Sequence, residues 1–587
     1  MKTDKKLKID FGPDNKYNSR VAESGLKTRN NKKWGEHIMK SKWKRLLSIM
    51  VTVLLSGSIL IGCAEDQKEK TTQGEGKKVH QKVSDKAAND DGKKDKEDNK
   101  PIKLTYWAAL DNNAATVVSN LGEVEMVKEW LKKFNIDITF MHPPAGQEKE
   151  QFNLAIVSRE LPDLFEYNWL NYPGGPEKAI SDNIIIKLND LVDQSAPNFR
   201  NVLETNELIN KQVRTDEGDL YVFPAYSGSK YHISGGLVLR KDWLEELDLS
   251  VPETIGDWTI VLKKFKEEKG CPAPFTGNVG NVLSNEGVFN DPFHIGKGFY
   301  LENGKVAYGP MQPEYKQFLQ LMYEWYQDGL LDPDFAANDG NAVDSRVIEG
   351  QTGALMTHIG GGMGKYMNTM KDDPSFDLVA AQFPVEKKGE QPKFVPRPWE
   401  YRGSGSVAIT PHNKYPEESA KLIDYLYSEE GALLKNFGVE GVSYNMENGY
   451  PKYTDLIMNN PDGLSVTQAL GRYTRGSTPT PGYIDGRYHE QYFQLPEQKD
   501  AADLWAEVAD NALNILVPPI TNSVEEAEEV STIMATVSSY KEEMAVKFIM
   551  GQESLDHFDQ YMREMEKMNI NRVVKLKQQA LDRYNSR

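Results

Sequence analysis

The stretch that most constrains the fold lies between Ile102 and Phe140. Ile102, Leu104 and Tyr106 alternate with Lys103, Thr105 and Trp107, the two-residue period of a strand. Val124 to Phe134 then reads as an amphipathic helix, and Ile136-Asp137-Ile138-Thr139-Phe140 as a second strand. A helix between two strands is the repeating unit of an α/β sheet. Gln151 to Val157 predicts the next helix, and Leu161-Pro162-Asp163-Leu164-Phe165 returns the chain to a strand.

The pattern continues along the chain. His232 to Arg240 reads as extended, with helices expected over Asp242 to Leu247 and Thr254 to Lys269. From Pro313 to Gly329 the residues Tyr315, Phe318, Leu319, Met322 and Tyr326 share one helical face, and Gly329 can close it. Arg402 to Thr410 predicts a strand. Pro416 opens a helix whose first turn, Glu417 and Glu418, suits the helix dipole. Val524 to Asn585 is expected to be helical throughout, with Leu555, Phe558, Met562 and Met565 as a core stripe. A chain of 587 residues is too long for one core, so at least two lobes are expected.

The first hundred residues belong to a different regime. An apolar run from Leu46 to Leu60 follows Lys40, Lys42, Lys44 and Arg45 and ends in Leu60-Ile61-Gly62-Cys63. That run is shorter than the ~20 apolar residues a membrane-spanning helix needs and has the length of a signal-peptide core. Leu-Ile-Gly-Cys looks like a bacterial lipobox, which implies diacylation of the Cys63 thiol and cleavage before it. Residues 1–38 read as an upstream extension, 39–62 as the signal peptide and 63–100 as a disordered tether. The tether has no aromatic residue and cannot bury enough surface to offset chain entropy. Residues 1–62 hold fourteen Lys/Arg against five Asp/Glu, so the net charge of -17 becomes -26 for the remainder. So acidic a body repels nucleic acid. Of the two cysteines, lipidation of Cys63 would leave Cys271 without an internal disulfide partner.

Several blocks, in order, carry a family resemblance. They are Glu150-Gln151-Phe152-Asn153-Leu154 with Leu161-Pro162-Asp163; Gly236 to Leu244; Glu349-Gly350-Gln351-Thr352-Gly353-Ala354-Leu355; and Glu417 to Tyr427 with Ser428-Glu429-Glu430-Gly431. Together with the lipobox, they resemble the extracellular solute-binding proteins of carbohydrate ABC importers, especially the large Gram-positive lipoproteins. The resemblance implies an α/β, two-lobed periplasmic-binding-protein-like (type II) fold, with a hinge and a ligand cleft between the lobes. It divides the chain into 101–225 (first lobe), 226–380 (second lobe), 381–438 (return to the first) and 439–587 (return to the second, with the C-terminal helices). Tyr221 to Tyr226 and Gln382 to Val385 are the expected hinge crossings. It further implies a non-enzymatic monomer on the outer face of the cell membrane, held by its lipid. Its partners would be an oligosaccharide and the permease subunits of an ABC transporter.

A sugar offers CH faces and a rim of hydroxyls, so its site calls for aromatic plates beside carboxylate, amide and guanidinium partners. Trp107 ends the first strand, at the sheet edge where α/β clefts form. Trp169 and Tyr172 follow Pro162-Asp163, where maltodextrin-type relatives place sugar contacts. Tyr226 sits past the first crossing, and Trp399, Glu400 and Arg402 combine an aromatic, an acid and a base. His358 precedes Gly360-Gly361-Gly362, where relatives carry a cleft loop. Asn278, Glu440 and Tyr444 complete the candidates. For every one of them plain packing competes with ligand contact.

Other chemistries fit less well. A Walker A loop ending at Lys365 would need glycine at 359 and Ser/Thr at 366, where Ile359 and Tyr366 stand. Ser227-Gly228-Ser229-Lys230 and Ser181-Asp182-Asn183 match penicillin-binding motifs in the wrong order, with no K-T-G. Nine histidines form no zinc spacing. Asp332-Pro333-Asp334 begins like a calcium loop, but Ala336 and Ala337 stand where a ligand and the turn glycine belong. The calcium loop of alginate-type relatives would fall at Gly270-Cys271-Pro272-Ala273, which lacks its acids. No metal or cofactor is therefore expected. A surface glycoside hydrolase, or a receptor for peptides rather than sugars, stays open as an alternative.

Overall fold

The computed structural model describes residues 100–587 apart from 228–230, 285, 399, 477 and 479, and it describes Arg402 by its backbone alone. Cys63, the extension and the signal segment lie outside the described residues, as do Trp399 and nearly all of the tether.

The N-terminal strand–helix–strand unit folds as its periodicity dictates. β1 (Ile102–Trp107) and β2 (Ile136–Met141) pair in parallel, with Ile102 opposite Ile136. β2 alternates buried and exposed residues along its whole length. The helix between them, Glu125–Phe134, buries Met126, Val127 and Trp130 and ends at Asn135, which takes the left-handed conformation. β3 (Leu164–Glu166) starts three residues later than the apolar run suggests. Its entry is pinned by Asp163, whose carboxylate accepts from the Thr105 amide and hydroxyl, both at 2.7 Å.

Two sheets result. The first is ordered β14 (Gly482–Ile484), β4 (Phe223–Ser227), β11 (Tyr401–Ile409), β3, β1, β2. The second is ordered β10 (Leu378–Ala380), β5 (Gly235–Arg240), β9 (Thr352–His358), β6 (Ala273–Thr276). β5 lies inside its sheet and is buried at all six positions, so it reads as a continuous apolar run. Hairpins β7–β8 (Phe299–Glu302, Lys305–Tyr308) and β12–β13 (Tyr444–Glu447, Tyr450–Tyr453) stand apart from both sheets. Each sheet has its own hydrophobic core. Leu104, Phe165, Val222 and Ile423 belong to the first, and Leu237, Phe265, Phe275 and Phe318 to the second.

The chain passes between the sheets three times, after β4, after β10 and after β14. The chain leaves β4 after Ser227, just past the expected crossing at Tyr221 to Tyr226, and the expected crossing at Gln382 to Val385 lies at the start of the segment that joins β10 to β11. Tyr221 and Phe223 are wholly buried in the first core. Phe383 packs beside Trp505 in the second half, and the Val385 amide bonds the Glu253 carbonyl. The third passage was not expected, because 439–587 was assigned to the second lobe as a whole. Within that segment β14 joins the first sheet, parallel to β4. The wholly buried Lys435 holds it there, donating to the Thr480 and Gly482 carbonyls at 3.0 Å each. Phe437, Tyr453, Ile457 and Leu470 make a small core of their own.

The C-terminus is three helices rather than one: Val524–Ile549, Phe558–Lys567 and Ile570–Ser586. Gly551 and Asn569, at φ of 70° and 69°, end the first two. Phe558 and Met565 are buried as the stripe required.

Candidate functional site

The carboxyl ends of β1, β3, β4 and β14 and the start of the antiparallel β11 meet at one edge of the first sheet. Loops at such an edge diverge and leave a crevice. Two cavities, of about 400 and 570 Å³, lie there and share Asp111, Asn168, Ser404 and Thr478, so they form one cleft. His358 at the end of β9, Ser234 just before β5, and Gly360 and Gly361 just after β9 bring the second sheet's edge to the outer cavity. The cleft thus has walls from both sheets.

A bulge in β11 shapes the cleft. Arg402 pairs with Ala225 but Val407 with Phe223, so five steps on one strand match two on the other. The extra residues Gly403, Ser404 and Gly405 push out to line the cleft. Gly405 has φ of 77°, and a Cβ on Gly403 would sit 2.5 Å from the Asn168 side-chain oxygen. Both positions therefore demand glycine.

The inner cavity is polar at its floor. Glu166 and Arg475, each 7% exposed, form an ion pair at 3.0 Å. Glu166 also accepts from the Tyr106 hydroxyl at 2.7 Å and the Thr480 hydroxyl at 3.4 Å. Burial, and then the Glu166 charge, push the Tyr106 phenol well above its ordinary range. Opposite lies the helix Val466–Tyr473, opened by a Ser465/Gln468 capping box. Its Gly471 approaches Ala114 so closely that a Cβ would fall 2.9 Å from that residue's Cα. Trp107 lines the same cavity with its ring tilted on Phe165 at 4.7 Å.

Tyr231, Tyr488, His489, Tyr492 and Phe493 give the outer cavity an aromatic wall. The Tyr492 hydroxyl lies 2.9 Å from that of Thr467, and burial pushes its phenol up to about 12. Facing this wall is a π-turn, Ile359–Gly364, an irregularity frequent at functional sites. Its glycines serve packing. A Cβ on Gly360, Gly362 or Gly364 would strike Tyr492, Thr357 or Gln498 within 2.3 Å, while Gly361 faces Asn113 across the cleft.

The structure separates the sequence candidates. Trp107 and His358 line the cleft. Trp169 and Tyr172 do not: they are 0% and 5% exposed within the first core. The reason is local. Asn168 caps the turn that follows β3, which leaves Asn168 on the cleft and folds Trp169 back over Phe152 and Phe165. The Trp169 indole then donates to the Phe165 carbonyl and the Tyr172 hydroxyl to Asp182. Tyr226 points away from Ser227, stacks on Tyr427 and lines a shallow depression of about 260 Å³ behind β4. Asn278 caps the helix Val279–Leu283. Glu400 pairs with Arg397 at 3.1 Å, Glu440 is exposed and bridges to Tyr444, and Tyr444 is buried in the small core. The Arg402 backbone is the second residue of β11, paired with Ala225.

Sequence reasoning passed over Glu166, Asn168, Arg475 and the helix Val466–Tyr473. A usable signal existed: Glu166 sits between Phe165 and Tyr167 at a strand end, and Arg475 follows a capped amphipathic helix. The Asp332-Pro333-Asp334 run already has a cation. Arg346 reaches Asp332 and Asp334 at 2.7 Å each, and Thr276 and Asn338 donate to Asp332 as well.

Comparison with known proteins agrees with this architecture. Residues 117–433 match the family of bacterial extracellular solute-binding proteins. The chain belongs to that family, whose members bind and do not catalyse. It is similar to the fructooligosaccharide ABC transporter substrate-binding protein FusA of Streptococcus pneumoniae serotype 4. Identity is 23% over 469 residues, covering 74% of this chain and 82% of FusA. It is also 23% identical to lipoprotein LipO of Bacillus subtilis over 58% of this chain and 68% of LipO. Among solved structures, alginate-binding protein AlgQ2 without calcium has a TM-score of 0.71 at 23% identity, covering 82% of this chain and 98% of AlgQ2. An EF-hand mutant of Streptococcus pneumoniae FusA in complex with fructo-nystose has a TM-score of 0.67 at 20% identity, covering 82% of this chain and 99% of that one. These likenesses establish the fold.

Proposed function

We propose that this protein is a lipid-anchored extracellular receptor that captures an oligosaccharide and delivers it to an ABC importer. The observation that carries the proposal is the cleft itself, a chamber floored by the Glu166–Arg475 pair and continuous with an aromatic-walled one. Its size falls in the ~300–1,000 Å³ range of small-ligand sites. Aromatic faces suit the CH faces of sugar rings, and the amide, hydroxyl and carboxylate groups suit their hydroxyls. FusA, which binds fructooligosaccharides, supports the ligand class, and lipoprotein LipO supports lipid attachment at Cys63. The three passages between the sheets form the hinge, and the two sheets with their cores form the lobes. The protein acts as a monomer that presents its closed form to permease subunits.

Calorimetric titration of the full chain against neutral and acidic oligosaccharides of two to six units, with peptides as controls, tests this. Saturable binding of at least one oligosaccharide, which is recovered uncleaved, is expected. Binding of peptides alone, or release of shorter sugars, would sink the proposal.

A further inference from the structure

Resting on the oligosaccharide reading above, we infer that the cleft takes an uncharged oligosaccharide and rejects glycans that carry uronate groups. The charged side chains on the described walls, histidines aside, are Asp111, Glu148, Glu166 and Arg475. Arg475 is the one guanidinium among the described lining residues, and Glu166 already faces it at 3.0 Å. A carboxylate held in a cleft calls for a guanidinium or ammonium partner. To recruit Arg475, a uronate would compete with Glu166 and strip a buried carboxylate of its counter-charge.

Unlike Glu166, the other two acids have no cationic partner among the described residues. Asp111 accepts from the Asn113 and Ala114 amides at 2.9 and 3.2 Å, and Glu148 accepts from the Gly146 amide at 2.9 Å. Neither makes a salt bridge among the described residues. A concave wall screens such charges less than open solvent does, so an anionic ligand meets repulsion beside Asp111 and Glu148. Neutral hydroxyls meet the opposite situation. Asn168, Ser404, Thr474 and Thr478 offer donors and acceptors, and the carboxylates have lone pairs to accept sugar O–H groups.

The test is calorimetric titration of the full chain with oligogalacturonides of three to five units, each beside its carboxyl-reduced neutral counterpart, together with kestose and nystose. The inference expects neutral members to bind at least about tenfold tighter than uronides of equal length. It also expects that ratio to narrow when salt is raised and in Glu148→Gln. Uronides binding as tightly as their reduced partners, or tighter, would overturn the inference and leave the oligosaccharide reading standing. Failure of every sugar in both series would overturn the reading and the inference with it.

Discussion

Glu166 and Arg475 show what one buried pair can do. With both side chains 7% exposed, removing one partner leaves the other charge in a poor environment. Arg475→Met should therefore destabilise the protein by ~3–5 kcal/mol in urea unfolding and abolish tight ligand binding. The double variant Glu166→Gln/Arg475→Met should recover most of that stability and still fail to bind, because the polar floor is gone. Equal instability of the single and double variants would refute the pairing argument. Trp169 carries the opposite expectation. Trp169→Ala opens a void in the first core and should cost ~3–5 kcal/mol, while the remaining folded protein binds ligand with unchanged affinity. At this scale residue type was legible in the sequence and direction was not. Both Trp107 and Trp169 read as aromatics near a cleft, but whether each faces it depends on the Asn168 cap and the tertiary turn it sets.

Elements were legible wherever one period dominated. β2, with strict alternation, and the helix Pro313–Gln327, with one apolar face, fall where the pattern puts them. The bulge at Gly403–Gly405 carries no such signature, and the capped helix Val466–Tyr473, though amphipathic, gives no sign of which cleft it lines. Their position comes from pairing partners far away in the chain. The C-terminal helices show how such distant contacts tie elements together. Arg583, on Ile570–Ser586, bonds Glu526 at the start of Val524–Ile549 and Asp216 in the loop before β4. Burial alone would raise the Glu526 carboxyl, yet its bonds to Arg583 and the Ser523 amide hold it below its ordinary value of 4.5. A depressed acid stabilises the fold above its unfolded value and loses that contribution as pH falls through the lower, folded value. Thermal unfolding followed downward from pH 5 should thus show a decline that Glu526→Gln removes in part. An identical pH profile for the variant would show that this contact adds nothing.

At the scale of the whole molecule, the resemblance supplied what periodicity could not, a cleft between two sheets. The passage after β14 was not in that reading, because β14 is too short to be read as a strand of the first sheet. Ligand can drive closure only through greater affinity for the closed form, so closure should be ligand-dependent. Val157 on the first-sheet side and Ile260 on the second are 83% and 56% exposed, away from the cleft lining. Cysteines at these two positions in a Cys63→Ala background can carry spin labels. Cys271 stays silent because burial leaves it 2% exposed and pushes its thiol up to about 11. The Cys63→Ala chain should be released from the membrane fraction and retain sugar binding. Its inter-label distance distribution should collapse to one narrower population at saturating oligosaccharide. Unchanged distances in a sample that calorimetry shows to be saturated would mean that ligand enters a rigid cleft, and that the permease recognises something other than closure.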